Sequence, residues 1–407
     1  MITVDEHLQS VLRTVSPLDL LEMPLLDAHG CVLGEDVIAG GSLPPFDNSS
    51  MDGYAVRHAD LVGASAEAPV SLHVVGDIAA GSSTGISVQP GLCARIMTGA
   101  PLPPGADTVV PVEWTDGGVA QVRVTHLPAQ GSFIRRTGED VQAGQQVLAA
   151  GTTLSAAQIG LLAALGRQRA LVHPPPRVIV ISTGTELVEP GTPPRPGQIV
   201  DANGYALAAA ASEAGAHAYR VGIVADDPRA LTETIEDHLI QADLVVTSGG
   251  VSVGAYDVVK DVLGRLGEVS FQRVAMQPGM PQAFGTIGPD RTPVFGLPGN
   301  PVSALVSFEV FVRPALRRML GAPELGRPQV QAVLAAPLAS TAGKRQYARV
   351  RVEHDGARWL ATPVGGGGSH LLASLASSNG LAVVPEDMTE VPAGSLVTTW
   401  LLERRSR

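Results

Sequence analysis

Asp243-Leu244-Val245-Val246-Thr247-Ser248-Gly249-Gly250-Val251-Ser252-Val253-Gly254-Ala255-Tyr256-Asp257 is the stretch that decides the fold. A short apolar run bounded by small residues, then a helical pattern from about Asp257 to Leu266, predicts a buried parallel strand that passes through a loop into a helix. In open α/β sheets ligands bind at such strand ends. Gly249, Gly250 and Gly254 can take backbone angles closed to other residues and admit a ligand to the amides, while Ser248 and Ser252 add hydroxyl donors. The pattern suits phosphate-like oxygens, although glycine after a strand is also ordinary turn chemistry.

The flanking sequence extends this unit into a doubly wound α/β sheet. Arg177 to Ser182 is a β-branched run, Asn203 is expected to cap an Ala-rich helix to Ala214, Tyr219 to Val224 is a second strand, and Asp227-Pro228 starts a helix ending near Gln241. Strands alternating with helices imply right-handed crossovers, so the loops after the strands' carboxyl ends should line one crevice. Those loops carry Glu186, Asp226 and Asp257. Clustered carboxylates repel unless compensated, and a divalent cation shared with substrate phosphates is the ordinary compensation. Mg²⁺, held by Glu186 and Asp257, is the expected ion; one of Asp226 and Asp227 is expected instead to cap the following helix.

Further along, Phe271 to Pro281 should form a second wall, with Arg273 and Gln277 as its polar groups. Phe295 to Ala304 reads as strand, turn and helix start, with Asn300 as N-cap and Pro301 at the first helical position; Pro314 should bend that helix. From about residue 327 the pattern returns to β.

Composition sets the outer bounds. The 407 residues allow two to four domains, and 45% hydrophobic content is that of a globular protein with a sizeable core. A net charge of −11 with only 16% charged residues disfavours a nucleic-acid surface. Cys31 and Cys93 are too few for a disulfide framework or a thiolate metal site, and His7, His173 and the other histidines show no metal-ligand spacing. With no leader pattern ahead of the first helix and no apolar run of about 18 residues, a cytoplasmic protein without membrane insertion is expected.

The N-terminal part is organised differently. Thr3 and Glu6 form a capping-box pattern ahead of a helix that carries Val4, Leu8, Val11, Leu12 and Val15 on one face and stops at Pro17. Leu43-Pro44-Pro45-Phe46-Asp47-Asn48-Ser49-Ser50-Met51-Asp52-Gly53-Tyr54-Ala55-Val56-Arg57 is a proline-led polar loop running into a strand. Between about 58 and 134 short β runs at Val70–Val75, Asp107–Val112 and Val119–Thr125 indicate a β-rich insert. Ile134-Arg135-Arg136-Thr137-Gly138-Glu139-Asp140 is a charged loop, and Pro174-Pro175-Pro176 a stiff linker.

Several of these stretches carry a family resemblance, among them Arg95–Pro103, Gly138-Glu139-Asp140 and Phe295–Ala304, and two carry it most fully. The Ser248–Ser252 loop with its following Asp257 resembles the molybdopterin-binding fold shared by molybdopterin adenylyltransferases and the molybdenum-insertion enzymes, MoeA and the E domain of gephyrin. The loop at 43–57 is similar, almost letter for letter, to a motif of the insertion enzymes, and the resemblance spans about residues 3 to 400. It implies an N-terminal mixed α/β dimerisation domain at 1–57 and 135–174, the β-rich insert at 58–134, a molybdopterin-binding α/β domain at 175–326 and a C-terminal β-barrel-like domain at 327–407. It further implies a homodimeric molybdenumtransferase that takes adenylylated molybdopterin and molybdate, hydrolyses the adenylate with Mg²⁺ and releases AMP. Molybdopterin adenylyltransferase and the proteins that mature molybdoenzymes would be its partners.

By the same resemblance Asp52, Asp140, Glu186, Asp226 and Asp257 are catalytic, and Ser248, Gly249, Gly250, Ser252, Arg273, Gln277, Pro298, Asn300, Pro301, Arg349 and Ser369 bind the cofactor substrate. Arg349 and Ser369 are implied to approach the pocket of a partner subunit. Gln277 and Met280 depart from the family pattern, which often has lysines there. The alternatives left open are a gephyrin-like dimeric scaffold that grips a peptide of a membrane partner, and an adenylyltransferase.

Overall fold

The computed structural model describes the whole chain except residues 83–84, 251–257 and 403–407. Its first helix, α1 (Val4–Thr14), has the full capping box: Glu6 N donates to Thr3 Oγ1 at 3.1 Å and Thr3 N donates to Glu6 Oε2 at 2.8 Å. Val4 and Val11 are buried and Leu8 and Leu12 pack against the same core, as the helical spacing requires.

His7 is buried on that face too, edge-on to Phe311 at 4.6 Å between ring centroids, with no partner for Nε2 among the described residues. Burial pushes the imidazole down to about 4 from 6.5. The unfolded chain therefore binds the proton more readily, so this contribution to stability is complete above about pH 6.5 and is lost as pH falls towards 4. The loss is worth roughly 3 kcal/mol. His7→Leu should flatten the fall in melting temperature between pH 6.5 and 4.5; a fall as steep as in the wild type would contradict this account of the site.

In the N-terminal half, Leu21–Pro24, Arg169–His173 and Val32–Leu33 form a three-stranded sheet. A five-stranded sheet runs in the order Thr108–Pro111, Gly53–Val56, Leu92–Ile96, Val70–Ile78, Gln121–Val124. It takes in Gly53–Val56, ahead of residue 58, because Tyr54 and Val56 pack into one core with Leu72, Cys93 and Val122. Cys31 is likewise a core residue.

The central domain is the doubly wound sheet. Its strands and helices are β1 (Arg177–Thr183), α2 (Asn203–Glu213), β2 (His217–Val224), α3 (Pro228–Leu239), β3 (Leu244–Ser248), α4 (Val258–Leu266), β4 (Gly267–Arg273), β5 (Pro281–Ile287) and β6 (Thr292–Leu297). The sheet order is β2-β1-β3-β6-β5-β4, with β2, β1, β3 and β6 parallel and β5 and β4 antiparallel to their neighbours. Crossovers leave β1 towards β2 on one side and return to β3 on the other, so the order reverses between β1 and β3. That reversal opens a crevice at the carboxyl ends of the strands. After β6 come α5 (Pro301–Ser307), a π turn at Phe308–Val312 and α6 (Arg313–Met319). Pro314, expected to bend the helix, lies in α6 and has no N–H to continue the ladder, and the segment just before it is the π turn.

The C-terminal domain is a barrel. β7 (Arg345–His354) pairs with Trp359–Pro363, which pairs with Gln329–Leu334, then Leu396–Leu401, then Gly380–Val384, which pairs back with β7 and closes the ring. Arg345 anchors this domain to α1 through two hydrogen bonds of 2.8 Å to the Asp5 carboxylate. No helix among the described residues is long and apolar enough to cross a membrane.

Candidate functional site

Three strand ends build the crevice. Ser248 closes β3, Thr183 closes β1 and Leu297 closes β6, and all three are buried. Gly249 turns the chain away from β3 with φ +98°, an angle that side chains resist, and a β-carbon there would sit 2.9 Å from Thr183 O. Its N–H is taken by Leu297 O at 3.1 Å, so Gly249 shapes the floor and offers no amide to a ligand. Gly250 N–H has no acceptor among the described residues and is available.

Two lobes open from this floor. One, of about 330 Å³, is lined by Glu186, Asp226, Gly249, Gly250, Pro298 and Asn300. The other, of about 300 Å³, shares Glu186, Gly249 and Asn300 and adds Leu187, Ile199, Asn203, Ser248, Pro301 and His370. The first lobe is acidic and built from loops; the second has an aliphatic wall. Glu186 folds back over Gly184, where a β-carbon would lie 2.6 Å from Oε2. Asp226 accepts at Oδ2 from Thr185 N at 3.0 Å and from Thr185 Oγ1 at 3.3 Å, which leaves Oδ1 outside these bonds. Its neighbour Asp227 is the helix cap, accepting from Arg229 N and Ala230 N. Of the expected residues at this loop, Ser252 and Asp257 lie outside the described residues, as does Gly254.

The donor set fits a hard cation. Glu186 and Asp226 supply carboxylate oxygens only, and no group of three His, Cys, Asp or Glu among the described residues could hold a metal by itself. Mg²⁺ asks for little more, since it keeps several waters and binds through one or two carboxylates together with substrate phosphates.

The remaining expected residues lie elsewhere. Met276–Gln277 pairs in parallel with the start of β7 and so joins the barrel's sheet. Gln277 accepts from Thr341 Oγ1 at 2.9 Å and lines a separate cleft of about 420 Å³ together with Arg349. The wall expected from Phe271–Pro281 is thus divided: Pro281 faces the acidic lobe and Gln277 faces the barrel. Arg273 is exposed and donates to the Met280 sulfur at 3.5 Å. The buried Arg349 guanidinium donates to the carbonyls of Gly366 and Gly368, and desolvation lowers its pKa. Ser369 accepts at its carbonyl from Val302 N of the same chain at 3.0 Å, which brings His370 beside the crevice.

Asp52 and Asp140 sit in the N-terminal half, and neither lines the crevice of its own chain among the described residues. Hydrogen bonds from Thr98 N at 2.7 Å and Thr98 Oγ1 at 2.8 Å hold the Asp52 carboxyl below the usual carboxylate range. Asp140 is exposed, and its N–H donates to Leu43 O at 3.1 Å. Asp47 joins the two motif loops by accepting from Thr137 N at 2.8 Å and from Arg136 Nη1 at 2.7 Å. By sequence alone Asp47, Thr98 and Asp201 have no place in the site, although Asp47 stands inside the motif at 43–57 and Thr98 inside a stretch, Arg95–Pro103, that also resembles the family.

A doubly wound sheet whose switch-point crevice joins carboxylates to a Ser-Gly-Gly strand end, together with a closed β barrel, defines a multidomain α/β protein with an open crevice at the strand ends. Family models described as the MoeA N-terminal region (domain I and II), the probable molybdopterin binding domain and the MoeA C-terminal region (domain IV) match residues 2–166, 179–318 and 331–402. Molybdopterin molybdenumtransferase 2 of Mycobacterium tuberculosis is 48% identical over 406 residues, 98% of this chain and 99% of that protein. The chain belongs to the molybdopterin molybdenumtransferase (MoeA) family. A molybdopterin molybdenumtransferase of a Nostoc species is 42% identical over 371 residues, 90% of this chain and 85% of that protein. The crystal structure of a MoeA molybdopterin biosynthesis protein from Pyrococcus horikosii superposes with a TM-score of 0.82 at 34% identity, covering 99% of this chain and 100% of that one.

Proposed function

We propose that this protein inserts molybdenum from molybdate into molybdopterin, taking the pterin as its adenylate and releasing AMP. The observation that carries this reading is the meeting of Glu186 and Asp226 with the Ser248-Gly249-Gly250 strand end in one crevice. Phosphate oxygens of the adenylate are received by Gly250 N–H and the Ser248 hydroxyl, on a floor whose curvature Gly249 provides. Glu186 and Asp226 would hold Mg²⁺, together with Asp257 as the sequence leads one to expect. When bound, that ion neutralises charge on the phosphoanhydride oxygens. Asp226 is oriented by Thr185, and the aliphatic wall of the second lobe limits water around the bound adenylate.

Molybdate is a substrate here, and the Arg349–Gln277 cleft is where its oxygens are received. An amide replaces an ammonium at Gln277, so Arg349 supplies the charge. Asp52 and Asp140 serve the crevice of a second copy in a homodimer, a role supported by their place in the N-terminal half, apart from the lining of their own chain's crevice among the described residues.

Complementation tests the reading. In a cell lacking its own insertion enzyme, this chain should restore the activity of a molybdoenzyme at ordinary molybdate concentration. No rescue by well-folded, well-expressed protein would overturn the proposal in favour of a scaffold.

A further inference from the structure

Asn203 does not cap α2 as expected. Its carboxamide instead reaches across the crevice, where Nδ2 donates to Ser248 Oγ at 2.8 Å and to Gly299 O at 2.7 Å. One side chain therefore ties the loop after β3 to the loop after β6. The orientation of the amide follows from chemistry. Gly299 O can only accept, so the group facing it must be the NH₂ and not the carbonyl.

That assignment propagates to Ser248. A hydroxyl that accepts from Asn203 has its lone pair engaged on that side and directs its single hydrogen elsewhere. The hydroxyl is buried at the floor of the crevice, and Asn203 and Ser248 line the same lobe.

The base of Asn203 is itself held. Asp201, 2% exposed, accepts at Oδ1 from Gly204 N at 3.0 Å and at Oδ2 from Arg220 Nη2 at 2.9 Å. Arg220 lies over the Tyr205 ring at 4.3 Å and donates to Glu189 at 2.7 Å. Gly204 allows no side chain in this network, since a β-carbon would meet Asp201 Oδ2 and Ser182 Oγ at 2.6 Å. Position 203 is thus fixed by a buried ion pair and a glycine.

We propose that Asn203 is a positioning residue for the phosphate group of the nucleotide substrate: it sets the Ser248 hydroxyl as a donor into the crevice and fixes the spacing of the two loops that flank the phosphate. This rests on the reading of the crevice as an adenylate site. Asn203→Asp keeps the shape of the side chain but replaces the NH₂ by an acceptor. The carboxylate then takes the Ser248 hydrogen for itself and repels Gly299 O.

The test is a double-mutant cycle with AMP as the calorimetric probe and the full chain as the protein. Asn203→Asp should weaken AMP binding at least tenfold in the wild-type background. In a Ser248→Ala background the same change should weaken it at least threefold less, because the hydroxyl it misdirects is gone. Asn203→Gln, which retains an NH₂, should bind AMP more tightly than Asn203→Asp if both melt within a few degrees of the wild type. Equal AMP affinity in wild type and Asn203→Asp, or an effect unchanged by Ser248→Ala, overturns the proposal and leaves the adenylate site standing. A wild-type chain that binds no AMP overturns both together. A variant that fails to fold is replaced by Asp201→Asn, which loosens the same position and should weaken AMP binding in the same Ser248-dependent way.

Discussion

Glu186→Ala is expected to lower molybdate-dependent AMP release by about 10²-fold or more with the melting temperature almost unchanged. The residue is exposed at the mouth of the crevice, and no ion pair holds its carboxylate among the described residues. Substitution of such a group moves stability by about 0.5 kcal/mol or less. On the proposed function Glu186 places negative charge, beside the Asp226 carboxylate, where cation and phosphate meet. If Glu186 acts in the transition state, kcat falls together with kcat/KM. Unchanged turnover would remove Glu186 from the site.

The second large effect is on stability. Arg327 is nearly enclosed, its side chain 4% exposed, and it grips Glu309 on the π turn with two bonds of 2.8 Å. Glu213, at the end of α2, approaches the same guanidinium at 3.5 Å. Arg327 stands just before the first barrel strand, so this pair fastens the segment joining the α/β domain to the barrel. Glu309→Ala leaves a buried guanidinium with one distant, mostly exposed partner, which costs about 3–5 kcal/mol. The melting temperature of the affected transition should fall by on the order of 10 °C. Replacing both partners with apolar residues, Glu309→Met with Arg327→Leu, should recover part of that loss, because the Arg327 charge is removed with its partner while Arg313, 4.0 Å from Glu309, still loses that contact. A drop of less than about 2 °C for Glu309→Ala would show that the guanidinium finds solvent.

What could be read from the sequence was what depends on local pattern. The β-branched runs at 177–182 and 243–247 are strands because both of their faces are covered, and a continuous apolar run reports that directly. Glu186 and Asp226 could be placed on one rim without coordinates, since topology alone puts the loops after parallel strands at the same edge. Tertiary hydrogen bonds were not legible. Asn203 has the residue type and position of a cap, and only the distances to Ser248 and Gly299 show that its side chain is used across the crevice. Gln277 illustrates a different loss: two residues pairing with a strand almost seventy positions later leave no periodicity to detect. Glu309 and Arg313 did carry an i,i+4 spacing, but Arg327, which completes the cluster, lies beyond any local window.

On the proposed function the crevice, armed with carboxylates and a Ser-Gly-Gly strand end, cleaves an adenylate as molybdate is taken up. Release of AMP from adenylylated molybdopterin by the purified wild-type protein tests it most directly, with molybdate and Mg²⁺ omitted in turn. The account predicts rapid release with both present and little with either missing. Release that is indifferent to molybdate and Mg²⁺, or none at all when both are supplied, would contradict it.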